Sequence, residues 1–284
     1  MTDQSASPPA SGATAEGWDC HAHLFGPYDR YPLAADRSYT PPQAVEAQYL
    51  ALLARLGLSH GVLVHPSAYG DDFRLLFDAL AAQPSTLRGV IVARSGTLPT
   101  LRGLRERGVR AARYSQRSGA GANFAGSASF DDLLAMSGGL ADAGLHAELW
   151  TDCRTIAGLA PRIEALPAAL PVVIDHMGGF DVDAGINEPG FRALLGLLER
   201  GRVHVKLCVY RNLLGRPDLE AGRPFHQAML DANADRLLWG SDWPHLRVAP
   251  APDASALLET FERWTGDAEM VRRILVVSPG RLYS

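Results

Sequence analysis

A single, slightly distorted (β/α)8 barrel is the α/β fold this sequence predicts, on three observations. Eight short apolar runs recur along the chain, segments with helical spacing separate them, and the polar residues able to do chemistry close the runs rather than open them. The expected strands are Trp18–His23, Gly61–Ser67, Arg88–Arg94, Val109–Tyr114, Leu145–Thr151, Pro171–Met177, Val203–Tyr210 and Arg236–Trp243. Runs such as Val172-Val173-Ile174 are apolar without alternation, the pattern of parallel strands covered on both faces by crossover helices.

Helical spacing marks Gln43–Leu56, Asp72–Ala82, Leu98–Arg107, Phe130–Ala143, Phe191–Arg200 and Pro224–Ala232. Asp71 and Ser129 are the expected N-caps, Pro42 suits a first turn, and Gly57, Gly108, Gly144 and Gly201 stand where helices should stop. No glycine-rich dinucleotide fingerprint follows an early strand, which argues against an open doubly wound sheet and for a closed TIM barrel. A chain of 284 residues fits one such domain over residues 17–284. Residues 1–16, rich in Ser, Ala, Pro and Gly and lacking a basic start, read as a disordered leader rather than an export signal.

Composition excludes several functions. A formal net charge of −4 provides no basic footprint for nucleic acid, and no apolar run approaches the ~20 residues of a membrane-spanning helix. Three widely spaced cysteines without a CxxC pair predict neither a disulfide framework nor a zinc cluster, and fit a reducing cytoplasm. The expected partner is a small molecule, met by a monomer or a homo-oligomer.

In a parallel barrel the active site lies at the C-terminal strand ends. His21 and His23 close the first strand, and their spacing of two sends both imidazoles to one side. His176 closes the sixth strand and Asp242 the eighth, so four groups face the mouth together. A lone HxH is a weak signal; the same pair with a His and an Asp on two further strand ends is a strong one. Arg113 and Arg117 follow strand four and Arg211 follows strand seven, with neither Arg113 nor Arg211 next to an obvious acidic partner in sequence, so an anionic ligand is expected. Tyr39, beside Pro41, serves either as a phenolic hydrogen-bond donor or as packing.

This pattern resembles the amidohydrolase superfamily. Cys20-His21-Ala22-His23-Leu24-Phe25-Gly26-Pro27, Ser38-Tyr39-Thr40-Pro41, Asp175-His176-Met177-Gly178 and Gly240-Ser241-Asp242-Trp243-Pro244-His245 resemble its 2-pyrone-4,6-dicarboxylate lactonase branch. The resemblance implies hydrolysis of a small anionic lactone, of the pyrone-dicarboxylate, muconolactone or sulfomuconolactone kind. Asp242 would activate water beside His21, His23 and His176, and the arginines after strands four and seven would hold substrate carboxylates. Two-metal members of the superfamily carry a bridging Lys or Glu on strand four and a His on strand five. Here strand four ends in Arg113-Tyr114, and His146 opens strand five instead of closing it. A guanidinium cannot ligate a cation. A binuclear centre is therefore not expected, and the resemblance to the lactonase branch implies hydrolysis with no metal cofactor, the alternative being one zinc on His21, His23, His176 and Asp242, with Glu148 as a spare ligand. Relatives acting on the dicarboxylate carry an Arg soon after the strand-six His, where this chain has Gly178-Gly179. Two other activities share these positions: a zinc-dependent decarboxylase and a metal-free sugar-acid lactone isomerase.

Overall fold

The computed structural model describes residues 16–95, 101–119, 123–216 and 218–284. Eight parallel strands follow one another around a barrel in chain order: β1 Trp18–Ala22, β2 His60–Val64, β3 Leu87–Val92, β4 Val109–Gln116, β5 His146–Thr151, β6 Val172–Ile174, β7 Val203–Leu207 and β8 Leu237–Trp239. The ring closes where Ala22 bridges Trp243 and the His23 N–H donates to the Trp243 carbonyl at 2.8 Å. All eight expected strands form, because apolar residues on both faces leave each run no stable position outside a covered parallel sheet.

The outer layer holds α1 Glu46–Leu56, α2 Arg74–Ala82, α3 Phe130–Asp142, α4 Cys153–Glu164, α5 Pro189–Glu199, α6 Arg223–Asn233 and α7 Ala254–Thr265, followed by α8 Ala268–Arg272 and α9 Ser278–Tyr283. Ser129 caps α3 as expected, accepting the Asp132 N–H at 3.1 Å while the Asp132 carboxylate accepts the Ser129 N–H at 2.8 Å. Gly57, Gly144 and Gly201 follow α1, α3 and α5 with φ near +65°, the left-handed conformation that ends a helix.

Three local expectations fail. Asp71 does not cap α2, which starts after Phe73; Asp72 takes the Arg74 N–H instead. Pro42 precedes α1, whose N-cap is Val45. The segment read as a helix over 98–107 is a series of turns from 101 onward, because Gly103 at φ +79° breaks it; residues 98–100 lie outside the described residues, as does the leader over 1–15. Gly108 keeps its positive φ with no helix before it.

Register in β1 positions the site. Asp19 pairs with Gly61 and Ala22 with Leu63, so three β1 residues span two of β2 and the strand bulges. Trp18 and Cys20 join Val62, Val64, Val90, Ala111, Val173 and Leu238 in one buried cluster drawn from six strands, which identifies it as the barrel interior. Beyond the bulge His21 and His23 continue on that inner side, while Asp19 meets the Tyr49 hydroxyl of α1 at 3.1 Å. Tyr283 of α9 plugs the opposite end, stacked on Trp18 with its hydroxyl 2.7 Å from Glu148 Oε1. Among the described residues, no helix is long and apolar enough to cross a membrane.

Candidate active site

The four expected residues converge. His21 Nε2 and His23 Nε2 lie 3.7 and 3.6 Å from Asp242 Oδ1, and His176 Nε2 lies 3.7 Å from Asp242 Oδ2. Asp19 aligns the two ends of the barrel: its carboxylate accepts the His21 N–H at 3.2 Å, the Ser241 N–H at 2.8 Å and the Ser241 hydroxyl at 2.6 Å. Burial pushes the Asp19 carboxyl up to about 6 despite those donors. Gly240 lets β8 approach β1, since a Cβ there would stand 2.8 Å from His21 Cβ. His176 and Asp242 both adopt positive φ, +49° and +58°, a conformation costing about 1–3 kcal/mol for each such residue and concentrated at functional sites.

Asp242 has two unlike oxygens. Oδ2 accepts from Tyr210 Oη at 2.6 Å and Arg211 Nε at 2.8 Å, with Arg211 Nη2 closer still. Oδ1 faces the two imidazoles of β1 at distances beyond a direct hydrogen bond. Burial opposes the charge on Asp242, but Arg211 and the surrounding imidazoles reverse it and hold the carboxyl well below the usual range. His21 is pushed down to about 3, by burial first and Lys206 second, so it is neutral at physiological pH. Burial likewise lowers His176. Among the described residues, His21 Nε2 and both ring nitrogens of His176 have no hydrogen-bond partner in the protein.

Beneath this set lies a charge network that sequence reasoning missed. Lys206 Nζ donates to Glu148 Oε2 at 2.6 Å and stands 3.3 Å from Asp175 Oδ1 and 3.1 Å from His21 Nδ1; Asp175 Oδ2 accepts from Arg113 Nε at 2.8 Å. Lys206, Glu148 and Asp175 are all fully buried. Asp175 and Glu148 keep their charge against burial because Lys206 faces both, and Lys206 in turn is raised. The available signal was a charged residue interrupting each of two apolar runs, Glu148 in β5 and Lys206 in β7.

Above Asp242 opens a cavity of about 370 Å³ lined by His23, Tyr39, Arg113, Arg117, His176, Arg211 and Arg247, with Phe124 and Trp150 as aromatic walls. Arg117 lies over the Trp150 ring at 3.8 Å, and Arg247, also missed from sequence, lies over Phe124 at 4.6 Å and Tyr39 at 4.8 Å. Tyr39 packs edge-on against Phe25 and Phe124. Both Arg113 and Arg211 have acidic partners in space that adjacent sequence did not reveal, Asp175 and Asp242. Arg211 also donates to the Leu246 carbonyl at 3.0 Å, so its donors point into the protein more than into the cavity. Gly179 also lines the cavity at φ +58°, and a Cβ there would meet the Thr151 carbonyl oxygen at 2.9 Å. No arginine fits that position.

A closed parallel barrel with histidines and an aspartate gathered at its C-terminal mouth defines a hydrolase-type barrel enzyme. The chain belongs to the amidohydrolase family: the model described as "Amidohydrolase" matches residues 18–284. It is 34% identical to a 4-sulfomuconolactone hydrolase from Rhizobium radiobacter over 99% of this chain and 98% of that one. It is 32% identical to a 2-pyrone-4,6-dicarboxylate hydrolase from Comamonas testosteroni over 93% of this chain and 89% of the relative. A solved structure of a proposed 2-pyrone-4,6-dicarboxylic acid hydrolase from Pseudomonas putida superposes with a TM-score of 0.78 at 32% identity, covering 95% of this chain and 98% of that one.

Proposed function

We propose that this protein is a lactonase that opens a small planar lactone bearing two anionic groups, without a metal ion. The observation that carries the reading is the split environment of Asp242: Oδ2 is anchored by Arg211 and Tyr210, and Oδ1 is free to face a water beside His21 and His23. As the water oxygen bonds to the ring carbonyl carbon, its proton passes to Oδ1; the ring C–O bond then breaks and the same proton goes to the leaving oxygen, giving a ring-opened acid. Imidazole N–H groups stabilise the negative charge that builds on the carbonyl oxygen.

Charge balance supports the metal-free form. His21, His176 and Asp242 offer ligand atoms within 4.8 Å of one another, a spacing a divalent ion could use. Around them, however, three of the four buried carboxylates among the described residues, Glu148, Asp175 and Asp242, already face three cations, Lys206, Arg113 and Arg211, and the fourth, Asp19, is held by the Ser241 and Tyr49 hydroxyls. A dication would add charge to a buried site whose carboxylates are already paired.

Arg113, Arg117 and Arg247, interleaved with Trp150, Phe124 and Tyr39, suit a flat anionic ring. The cation that relatives carry after the strand-six His is sterically barred by Gly179, and Arg247 offers one from a different wall. This favours a sulfomuconolactone-like substrate or a close analogue. A cytoplasmic setting belongs to the same proposal, since Cys20, Cys153 and Cys208 are buried and unpaired. A panel of dianionic, monoanionic and neutral lactones tests it, with products identified by mass: a gain of one water on the dianionic members is expected, and isomerised or decarboxylated products would overturn it.

A further inference from the structure

We propose that Lys206 is the positioning residue that decides which nitrogen of His21 carries the proton, so that the two imidazoles of β1 act as opposites, His21 as donor and His23 as acceptor. A backbone carbonyl can only accept, and the Val64 carbonyl oxygen lies 2.7 Å from His23 Nδ1. His23 therefore bears its proton on Nδ1, and in the neutral ring Nε2 presents a lone pair. An ammonium can only donate, and Lys206 Nζ lies 3.1 Å from His21 Nδ1. His21 therefore accepts at Nδ1 and carries its proton on Nε2, the atom 3.7 Å from Asp242 Oδ1.

One competitor for His21 Nδ1 exists. Asp175 Oδ1 lies 3.4 Å away and would favour the opposite tautomer. The lysine contact is shorter and meets hydrogen-bond geometry, which the Asp175 contact does not; Asp175 Oδ2 accepts from Arg113 at 2.8 Å, and Oδ1, without a hydrogen bond of its own, stands in ion-pair contact with Lys206 at 3.3 Å. The ammonium thus donates to Glu148 and His21 and faces Asp175 as an ion pair.

That cage has the composition of a cation site. His21, Glu148 and Asp175 place ligand atoms within 4.8 Å of one another, and the ammonium of Lys206 lies within reach of all three. Lys206 is a tethered cation in this place, and its N–H bond to Nδ1 leaves His21 neutral with its outer nitrogen protonated. The catalytic consequence, which rests on the lactonase reading, is that Nε2–H of His21 donates to the carbonyl oxygen while Nε2 of His23 accepts from the attacking water.

The test is NMR of the full chain with 15N-labelled histidine, since the two nitrogens of a neutral imidazole resonate far apart according to which is protonated. His21→Gln and His23→Gln variants assign the signals. The free protein is expected to show His21 protonated at Nε2 and His23 at Nδ1. In Lys206→Met the His21 pattern should invert, as Nδ1–H turns to Asp175, while His23 keeps its own; kcat on a dianionic lactone should fall ~10²–10³-fold, the usual loss of one donor to a developing oxyanion, with KM little changed. If Lys206→Met fails to fold with Glu148 left unpaired, Lys206→Met/Glu148→Gln gives the same readout. An Nδ1-protonated His21 in the wild type, or an unchanged His21 pattern once Lys206 is gone, would overturn the proposal. Neither spectrum needs turnover, so failure of the lactonase reading would leave the tautomer result standing.

Discussion

The floor and the rim of the mouth are built from different interactions. On the floor, His21, Glu148, Asp175, Lys206 and Asp242 are buried and their charges are paired inside the barrel, Glu148 and Asp175 with Lys206, Asp175 also with Arg113, and Asp242 with Arg211. On the rim, Arg117 and Arg247 rest on aromatic faces, half-buried and exposed respectively. Buried charge pairs resist rearrangement because either partner left alone in a low dielectric is costly, whereas an arginine on a ring can be moved or replaced cheaply. On the proposed function the floor would set the reaction and the rim the substrate, and damage to each should read out differently.

Asp242→Asn strikes the floor hardest: it keeps size and removes the base, so kcat on the preferred lactone should fall ~10²–10⁴-fold with a native circular dichroism spectrum. Retention of more than about a tenth of wild-type kcat would show that proton abstraction by Asp242 is not needed.

Acid should expose the cost of keeping imidazoles neutral inside. His21 and His204 are pushed down to about 3, and His65 and His226 to about 4, all by burial first. Their folded values lie below the ordinary 6.5, so the unfolded chain binds the extra protons and stability falls as pH drops below about 6.5. Asp19, raised to about 6, works the other way between about 4 and 6, because there the folded chain holds its proton. The lowered histidines outnumber the one raised aspartate, so net proton uptake near pH 5 favours the unfolded state. Urea midpoints measured at pH 7, 6 and 5 should therefore drop progressively; a flat series would mean the histidines are not held neutral.

Arg211→Met separates anchoring from substrate binding. If Arg211 serves Asp242 first, stability should fall by about 3 kcal/mol and kcat should drop more than KM rises. A change confined to KM would return Arg211 to the substrate-binding role expected from sequence. Smallest are the rim changes: Arg117→Met and Arg247→Met should each raise KM for a dianionic lactone about tenfold, near 1.4 kcal/mol, and leave a neutral lactone and the melting temperature almost unmoved. Equal losses on both substrates would make these arginines structural.

The same division governs what could be read from the sequence. Strands were legible because continuous apolar runs have one destination in a barrel, and the HxH, His176 and Asp242 stood out as polar residues at strand ends. The turns over 101–107 were misread because Leu101 and Leu104 keep helical spacing while Gly103 takes a positive φ no pattern announces. The network of Glu148, Asp175 and Lys206 stayed hidden because they come from β5, the residue after β6, and β7, and their joint meaning lies only in meeting inside. Arg113 and Arg211 looked unpaired for the same reason: their partners are 62 and 31 residues away.

The central claim is that Asp242 and its imidazoles open the lactone with the protein's own charges. Its most direct test is turnover by protein exhaustively treated with a chelator and shown by elemental analysis to hold no stoichiometric metal. Full lactonase activity that added zinc does not increase is the predicted result; activity lost on chelation and restored by one equivalent of zinc would contradict it.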